Sequence, residues 1–431
     1  MDNKFSIKKL PKSEIEIKVT VAWEDWKNQI DLAVENLSKN LKMDGFRPGK
    51  APRSYVEKAV GTKAILEEAS EKAIQKTYAE LLKKEKINAI GAPKAELLKL
   101  AEGNELEYKI KVAVFPEVQM KPWKEKIKKI NENYKKKKIE ISQEEIDKEM
   151  KRLAESRAKL APIEREAKIG DNVMVDFQVF REHVAVENGT SKNHPLILGK
   201  NVFIPGFEDN LLGMKAGEEK EFELKFPKEY HEKSLAGNPA QFKVKVNLVQ
   251  ERQLPEVNDE FAKSLGKFEN LEALMKNFRE GMLEEKKAKN QEDMRNEFLE
   301  ELLKLVEVDL PEILVHEELH KMIHEFEGQV QSMGTTSEDY LQKMGKTVDD
   351  LEKEWEPQAE KRVKIFLILD EIAKQAEVAV PNEKIEEEMN KTLNYYKKVK
   401  DGEKNIDMAR LYNYVKETLT HQEVFNVLER I

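Results

Sequence analysis

The 431-residue sequence contains no cysteine. Disulfides, thiolate metal ligands and cysteine nucleophiles are therefore excluded together. No stretch reaches the roughly 18 uninterrupted apolar residues that a membrane-spanning helix requires. The first ten residues, MDNKFSIKKL, also lack the apolar core of an export signal. We therefore expect a cytoplasmic protein that does not bind membranes.

Aromatic residues make up only 7% of the chain, whereas charged residues make up 37% and hydrophobic residues 39%. This balance permits folding but favours long, heavily solvated helices, and the length suggests about three domains. The net charge of −8 argues against DNA binding by bulk charge. The first 60 residues, however, hold 12 Lys and Arg against 9 Asp and Glu. This local excess of positive charge suits a docking region at the N-terminus of an otherwise acidic protein.

Two glycines and two prolines fall within the eight residues that read GFRPGKAP, from Gly45 to Pro52. They predict an exposed turn between two helices, with Phe46, Arg47 and Lys50 available to contact a polyanion. A phosphate-binding loop is disfavoured, because the glycines are one residue too close and Ala51 replaces the required hydroxyl. An ordinary surface turn remains an alternative on local grounds.

The GFRPGKAP segment resembles the ribosome-docking signature of the trigger factor family. Members of this family are bacterial chaperones that meet nascent chains at the ribosomal exit tunnel. The resemblance implies docking on a protein and RNA of the large ribosomal subunit. It assigns that role to six residues: Gly45, Phe46, Arg47, Gly49, Lys50 and Pro52. It also implies a homodimer when the protein is off the ribosome.

Four regions are predicted along the chain, in a multidomain α+β protein. Residues 1–115 read as an α+β domain with strands within 5–22, near 95–100 and at 105–115, and with helices before and after the GFRPGKAP segment. Residues 116–160 read as a connector, in which Lys135 to Lys138 suggest a solvated linker or a second RNA contact. An amphipathic helix follows there, with apolar positions from Ile146 to Leu160.

Residues 161–250 contain strand patterns at 173–179, 221–226 and 241–249, separated by turn signals. The phrases FIPGFE from Phe203, GMKAGE from Gly213 and FPKEYH from Phe226 resemble FKBP-type peptidyl-prolyl isomerases. The resemblance implies a twisted antiparallel sheet on a short helix, with a cleft whose floor is Phe207. It implies the following cleft residues: Phe177, Glu187, Phe203, Ile204, Phe207, Tyr230, His231 and Phe242.

An apolar cleft of this kind can catalyse X-Pro rotation without nucleophile, metal or other cofactor, because removing water destabilises the planar amide more than the twisted one. The sequence departs from the isomerase pattern in three places. Val186 replaces an aromatic residue, and the segment from Phe180 to Ala185 lacks the F-T-G turn. His194 and Leu196 lie near the position of another phenylalanine of the pattern. We expect an intact fold and a real but weak isomerase activity, and a binding cleft with negligible turnover is the alternative.

Residues 251–431 read as helical almost throughout, with Asn270 as an N-cap and Pro311 opening a helix. The phrases VDLPEILVHEEL and EPQAEKRVKI resemble the trigger-factor C-terminal domain, whose helical arms enclose a cradle. This implies an ATP-independent chaperone that binds nascent and unfolded polypeptides. Apolar residues scattered among charged ones suit transient contacts, although each could equally be packed between helices.

His316-Glu317-Glu318-Leu319-His320 matches the H-E-x-x-H arrangement of zinc peptidases, and His324 adds a third imidazole one helical turn later. A zinc metallopeptidase is therefore one alternative function. A ribosome-independent isomerase or holdase is another. Ribosome binding would separate the latter from the main interpretation.

Overall fold

The computed structural model describes residues 4–40, 52–182, 184–230, 232–233, 235–396 and 406–431. Contacts divide the chain into two compact units. One unit combines Met1–Lys137 with Glu292–Ile431, and the other is Lys138–Gln291. Within the described residues, no helix combines the length and apolar composition needed to cross a membrane.

The N-terminal part of the first unit is a four-stranded antiparallel sheet with helices packed on it. The strands are β1 (Lys4–Leu10), β2 (Glu14–Val21), β3 (Ala89–Lys99) and β4 (Leu106–Val114), in the order β1-β2-β4-β3. The helices are α1 (Trp23–Asn40), α2 (Arg53–Val60) and α3 (Thr62–Lys84). Inward-facing Ile17, Tyr108 and Ile110 pack with Trp26 and Ile65 in one core. The predicted α+β class is confirmed.

Strand β3 begins six residues before the predicted start. Its first residues look like a turn in the sequence, but in the structure they form an irregularity inside this edge strand. Pairing with β4 shifts register between Ile90 and Lys94. Gly91 lies there with φ +72°, and a Cβ on it would lie 2.2 Å from Cδ1 of Ile313. Glycine is therefore required both for its conformation and for the close approach.

The segment after β4 holds a packed helix in addition to its lysines, and Lys135 to Lys138 are all exposed, as expected of a solvated charge run. Strand β5 (Gln119–Met120) leads into helix α4 (Lys124–Lys136). Trp123, Ile127 and Ile130 recur at helical spacing and are buried. Lys135 and Lys136 occupy the last turn, where cations interact favourably with the helix dipole. The charge run therefore ends a packed helix.

The second unit opens with α5 (Gln143–Ser156), capped by Ser142 and Glu145 in a capping box. This helix ends before Leu160, which lies in strand β6 (Lys159–Ile163), so the predicted helical stripe was too long. The other strands are β7 (Asn172–Arg181), β8 (Val184–Ile197), β9 (Glu219–Lys225) and β10 (Pro239–Gln253). They form an antiparallel sheet, ordered β6-β10-β7-β8, with β9 also pairing with β10.

A 3₁₀ helix, Glu208–Leu211, packs on this sheet, so the predicted sheet with a short helix is confirmed. Two helices follow, α6 (Asp259–Leu265) and α7 (Leu271–Lys304). Asn270 accepts a hydrogen bond from the backbone N–H of Ala273 at 2.8 Å, as expected of an N-cap.

The described residues of the remaining chain are mainly helical, as predicted. Strand β11 (Val306–Glu307) pairs with β5 and is followed by α8 (Glu312–Ser332), α9 (Ser337–Met344), α10 (Val348–Gln375), α11 (Asn382–Tyr396) and α12 (Met408–Arg430). Helix α10 contains Pro357 in its interior. The buried face of α4 joins a core with Phe298, Leu302, Ile368 and Leu428. The N-terminal and C-terminal segments thus share one hydrophobic core.

The buried carboxylate of Glu208 anchors the loop that precedes the 3₁₀ helix. Oε2 accepts hydrogen bonds from the N–H groups of Gly199 at 2.7 Å and Asn201 at 2.9 Å, and Oε1 accepts one from Val202 at 2.8 Å. Burial alone would raise the pKa of Glu208, but these donors and the N–H of Phe203 hold the pKa below its usual range. The loop is therefore fixed by a charged acceptor.

We expect Glu208→Gln to loosen this loop, since an amide offers one acceptor oxygen where the carboxylate offers two. A hydrogen bond to a charged group contributes roughly 1.5–3 kcal/mol, so losing one should lower the local opening free energy by a similar amount. Hydrogen exchange of peptides covering residues 199–203, measured by mass spectrometry at pH 7, should show faster exchange in the variant. The exposed neighbouring carboxylate gives a control, because Asp209→Asn should leave that exchange unchanged.

The difference between Glu208→Gln and the wild type should shrink in acid. A carboxylate whose folded pKa is depressed contributes stability above its unfolded pKa of about 4.3 and loses it as the pH falls through the folded value. Exchange corrected for intrinsic rates at pH 7 and at progressively lower pH below 4.3 tests this. A difference that stayed constant would contradict the proposed role of the charge.

Candidate functional site

The second unit contains an apolar cleft of about 450 Å³. Its walls come from β7, β8, β10, the loop anchored by Glu208 and the turn after β9. The lining residues are Phe177, Val179, Val186, Gly189, Val202, Phe203, Ile204, Phe226, Tyr230, Glu232, Leu235 and Phe242. This loop and the strands therefore bring together residues far apart in sequence.

Aromatic rings in edge-to-face and stacked contacts form the cleft wall. The ring centroids of Phe203 and Phe207 are 4.3 Å apart and stacked, and Phe177 meets Phe203 edge-on at 5.2 Å. Phe242 lies 5.5 Å from Phe207, also edge-on. Such pairs stabilise their mutual geometry beyond simple burial. The wall is thus preorganised by its own rings.

The structure places five of the predicted residues along the cleft: Phe177, Phe203, Ile204, Tyr230 and Phe242. Phe207 is fully buried behind Phe203, where it supports the wall. His231 and the side chain of Glu187 lie outside the described residues. The catalytic assignment of these eight residues stays a prediction.

Sequence reasoning missed four apolar lining residues: Val179, Val202, Phe226 and Leu235. Val179 alternates with Phe177 on β7, and Phe226 opens the FPKEYH phrase, so both carried a readable signal. Val202 is 78% exposed, and only its position beside Phe203 in the sequence could have indicated that it lines the cleft.

Val186 does line the cleft, where it offers less apolar surface than an aromatic side chain would. His194 contributes an additional ring, with its centroid 5.8 Å from Phe177 and 5.5 Å from Phe203. The His194 imidazole therefore supports the wall beside the position where the family pattern has a phenylalanine.

The lining side chains are apolar or aromatic apart from the carboxylate of Glu232. This composition suits exclusion of water from a bound X-Pro amide, which favours the twisted transition state over the planar ground state. Phe226 and Tyr230, whose ring centroids are 4.7 Å apart, make a second aromatic wall. The arrangement can bind an apolar ring such as proline and twist the adjoining bond.

The predicted docking segment is only partly described. Gly45, Phe46, Arg47, Gly49 and Lys50 lie outside the described residues. Pro52 is exposed and precedes α2, where its carbonyl accepts a hydrogen bond from the N–H of Tyr55 at 2.9 Å.

Arg53 opens α2 and is held by intramolecular ion pairs. Its guanidinium contacts Glu57 at 2.5 Å and Glu102 at 2.6 Å. Hydrogen bonding to Glu57 raises the pKa of Arg53, with Glu102 adding to the effect. Its charge therefore serves the fold around α2.

The H-E-x-x-H residues lie on α8, with His316 and His320 both exposed. A zinc peptidase needs three protein ligands with an open fourth position. Among the described residues, no group of three or more His, Asp or Glu side chains could hold a metal ion. The arrangement does not support the metallopeptidase alternative.

Three family models match consecutive parts of the chain. The bacterial trigger factor protein model covers residues 3–153, the FKBP-type peptidyl-prolyl cis-trans isomerase model covers 164–247, and the bacterial trigger factor C-terminus model covers 270–429. The matches follow the order that the sequence resemblance indicated.

Similar proteins extend over nearly the whole chain. Trigger factor from Caldicellulosiruptor bescii is 33% identical over 428 residues, which are 99% of this chain and 93% of that relative. Trigger factor from a Geobacillus species is 35% identical over 407 residues, with 93% of each chain covered. A solved structure concerned with promiscuous substrate recognition by the trigger factor chaperone shares the fold, with a TM-score of 0.50, 22% identity and 99% of both chains covered.

Full-length similarity, the three family models and the aromatic cleft agree with one another. The chain therefore belongs to the bacterial trigger factor family, and it is a ribosome-associated chaperone that binds nascent polypeptides and has FKBP-type peptidyl-prolyl cis-trans isomerase activity.

Proposed function

We propose that the aromatic cleft of the second unit is the isomerase active site, with Phe177, Phe203, Ile204, Tyr230 and Phe242 contacting substrate. Phe207 fixes the wall from behind, and Glu187 and His231 complete the predicted set. The observation that carries this proposal is the convergence of these rings on one cleft of about 450 Å³, which is large enough for a prolyl residue and its neighbours. The smaller Val186 leaves the bound ring less covered, so turnover is modest.

The ribosome contact is assigned to the segment from Gly45 to Pro52, beside the tunnel exit of the large subunit. Phe46 provides an apolar anchor, and Arg47 and Lys50 contact phosphate or acidic side chains, while Gly45, Gly49 and Pro52 shape the turn. The local excess of positive charge in the first 60 residues supports this assignment.

The domain division follows the sequence: residues 1–115 for docking, 116–160 as connector, 161–250 for isomerisation and 251–431 for client binding. Helix α4 of the connector packs on the C-terminal helices. The C-terminal helices hold unfolded segments through separate apolar side chains, so binding is weak enough for release without nucleotide hydrolysis. The protein acts in the cytoplasm, partly on ribosomes, and forms a homodimer when free. Family membership supports the ribosome contact and the binding of nascent polypeptides.

Phe203→Leu should lower isomerase kcat/KM about tenfold, equivalent to roughly 1.4 kcal/mol of transition-state stabilisation. The change removes a ring that lines the cleft and stacks on Phe207, so water reaches the amide more easily. A protease-coupled assay on a proline tetrapeptide measures it. The matched control is Phe180→Leu, the same change on β7 outside the cleft, which should retain activity. Equal losses in both variants would count against the cleft.

The triple variant Phe46→Ala, Arg47→Ala, Lys50→Ala should lose at least tenfold in ribosome affinity, and higher salt should weaken wild-type binding because phosphate contacts are screened. Co-sedimentation with bacterial ribosomes at two salt concentrations measures both effects. A matched triple, Tyr55→Ala, Lys58→Ala, Lys72→Ala, also removes one aromatic ring and two cations from the same domain, yet should bind normally. Similar binding by the two triples would overturn the docking assignment.

A further inference from the structure

One pair of histidines on α8 lies apart from the isomerase cleft and from the predicted docking segment. His316 and His320 are four residues apart, so they project from the same side of the helix. Their ring centroids are 5.1 Å apart and their planes differ by 7°. Both side chains are exposed and therefore accessible from solvent.

The 5.1 Å separation is close to that of two imidazoles on one metal ion, but the stacked, nearly parallel rings must turn before both can bind it. Zinc–nitrogen bonds are about 2.0–2.1 Å long, which places each imidazole centre about 3.2 Å from the ion. At a tetrahedral angle, the two ring centres are then about 5 Å apart. Rotation about the second side-chain torsion, which has a broad energy minimum in histidine, can aim one nitrogen of each exposed ring at the same point.

The surroundings favour a cation. His316 also lines a cavity of about 330 Å³ between α8, α10 and the β1–β2 turn. The charged groups on that cavity are four carboxylates against two ammonium groups: Glu312, Glu352, Glu356 and Glu360 with Lys12 and Lys353. The excess of negative charge increases the local concentration of divalent cations.

We propose that His316 and His320 form a bidentate site for a late first-row divalent ion such as Zn²⁺, Ni²⁺ or Cu²⁺, with water completing the coordination. Imidazole nitrogen is a preferred ligand of these ions, and their affinities should follow the order in which Cu²⁺ exceeds both Ni²⁺ and Zn²⁺. Two protein ligands bind an ion without building a hydrolytic centre. The bound ion links two successive turns of α8 and stabilises the folded state by mass action.

His324 provides an internal control. It lies four residues beyond His320, but its Nδ1 is 3.0 Å from Oε2 of Glu327, so its ring is already oriented by a hydrogen bond. If the paired geometry matters, His324 should contribute little to metal affinity. If imidazoles on this surface bind metal independently, it should contribute as much as the others.

The test is isothermal titration of Zn²⁺ into the untagged full-length protein, purified without metal-affinity resin. We expect one ion per chain, with affinity reduced at least tenfold in His316→Ala and in His320→Ala. His324→Ala should bind within twofold of the wild type. Far-UV circular dichroism verifies that the variants keep their helices, and His316→Gln provides a second substitution at the same position.

Pulsed electron paramagnetic resonance with one equivalent of Cu²⁺ gives an independent count of ligands. The wild type should show two coordinated imidazoles, and His316→Ala or His320→Ala should show one. Equal losses of Zn²⁺ affinity in all three alanine variants would overturn the site. Several weak ions per chain, insensitive to His316 and His320, would indicate an adventitious ion only and would equally overturn it.

Discussion

The packing of α4 against the C-terminal helices is the contact on which the first unit depends. Trp123, Ile127 and Ile130 share a core with Phe298, Leu302 and Ile368. Inside this core, the side-chain amide of Asn131 donates to the carbonyl of Leu428 at 2.7 Å. A buried polar pair of this kind is satisfied only when both segments are in register. The two ends of the chain therefore have to fold together, and residues 138–291 form a separate unit between them in sequence.

The sequence predicted the regular elements well where one face is buried and the other solvated. Strands β2 and β4 and helices α1 and α8 show clean apolar periodicity, and the structure has them at the expected places. The edge strands were harder to predict from the sequence. β6 contains Pro162 and β8 contains a polar run, because edge strands need fewer ladder donors and fewer apolar residues. Helix α4 was missed because its lysines outweighed the stripe formed by Trp123, Ile127 and Ile130.

The cleft illustrates a different limit of prediction. Resemblance to isomerases identified the rings, since aromatic residues stand within recognisable phrases such as FIPGFE. It gave no indication that Glu208, inside that phrase, anchors the loop bearing Val202 and Phe203 through backbone donors. A buried carboxylate with backbone partners leaves no periodic pattern in a sequence, because its partners are main-chain groups of any residue type. Only coordinates reveal such support.

In the proposed client-binding role, the apolar residues of the C-terminal helices are divided between stability and binding. Leu367, Ile368 and Ile372 of α10 are buried in cores. Separate apolar side chains remain exposed on different elements: Met333 is 64% exposed, Met344 is 55% exposed and Tyr414 is 65% exposed. Covering one such side chain contributes roughly 1–2 kcal/mol, far below the energy of a stable complex. A client held by several of them can detach stepwise, and each contact is flexible enough to accept different sequences. Under the proposed client-binding role, the small size of each contact would allow release by dissociation.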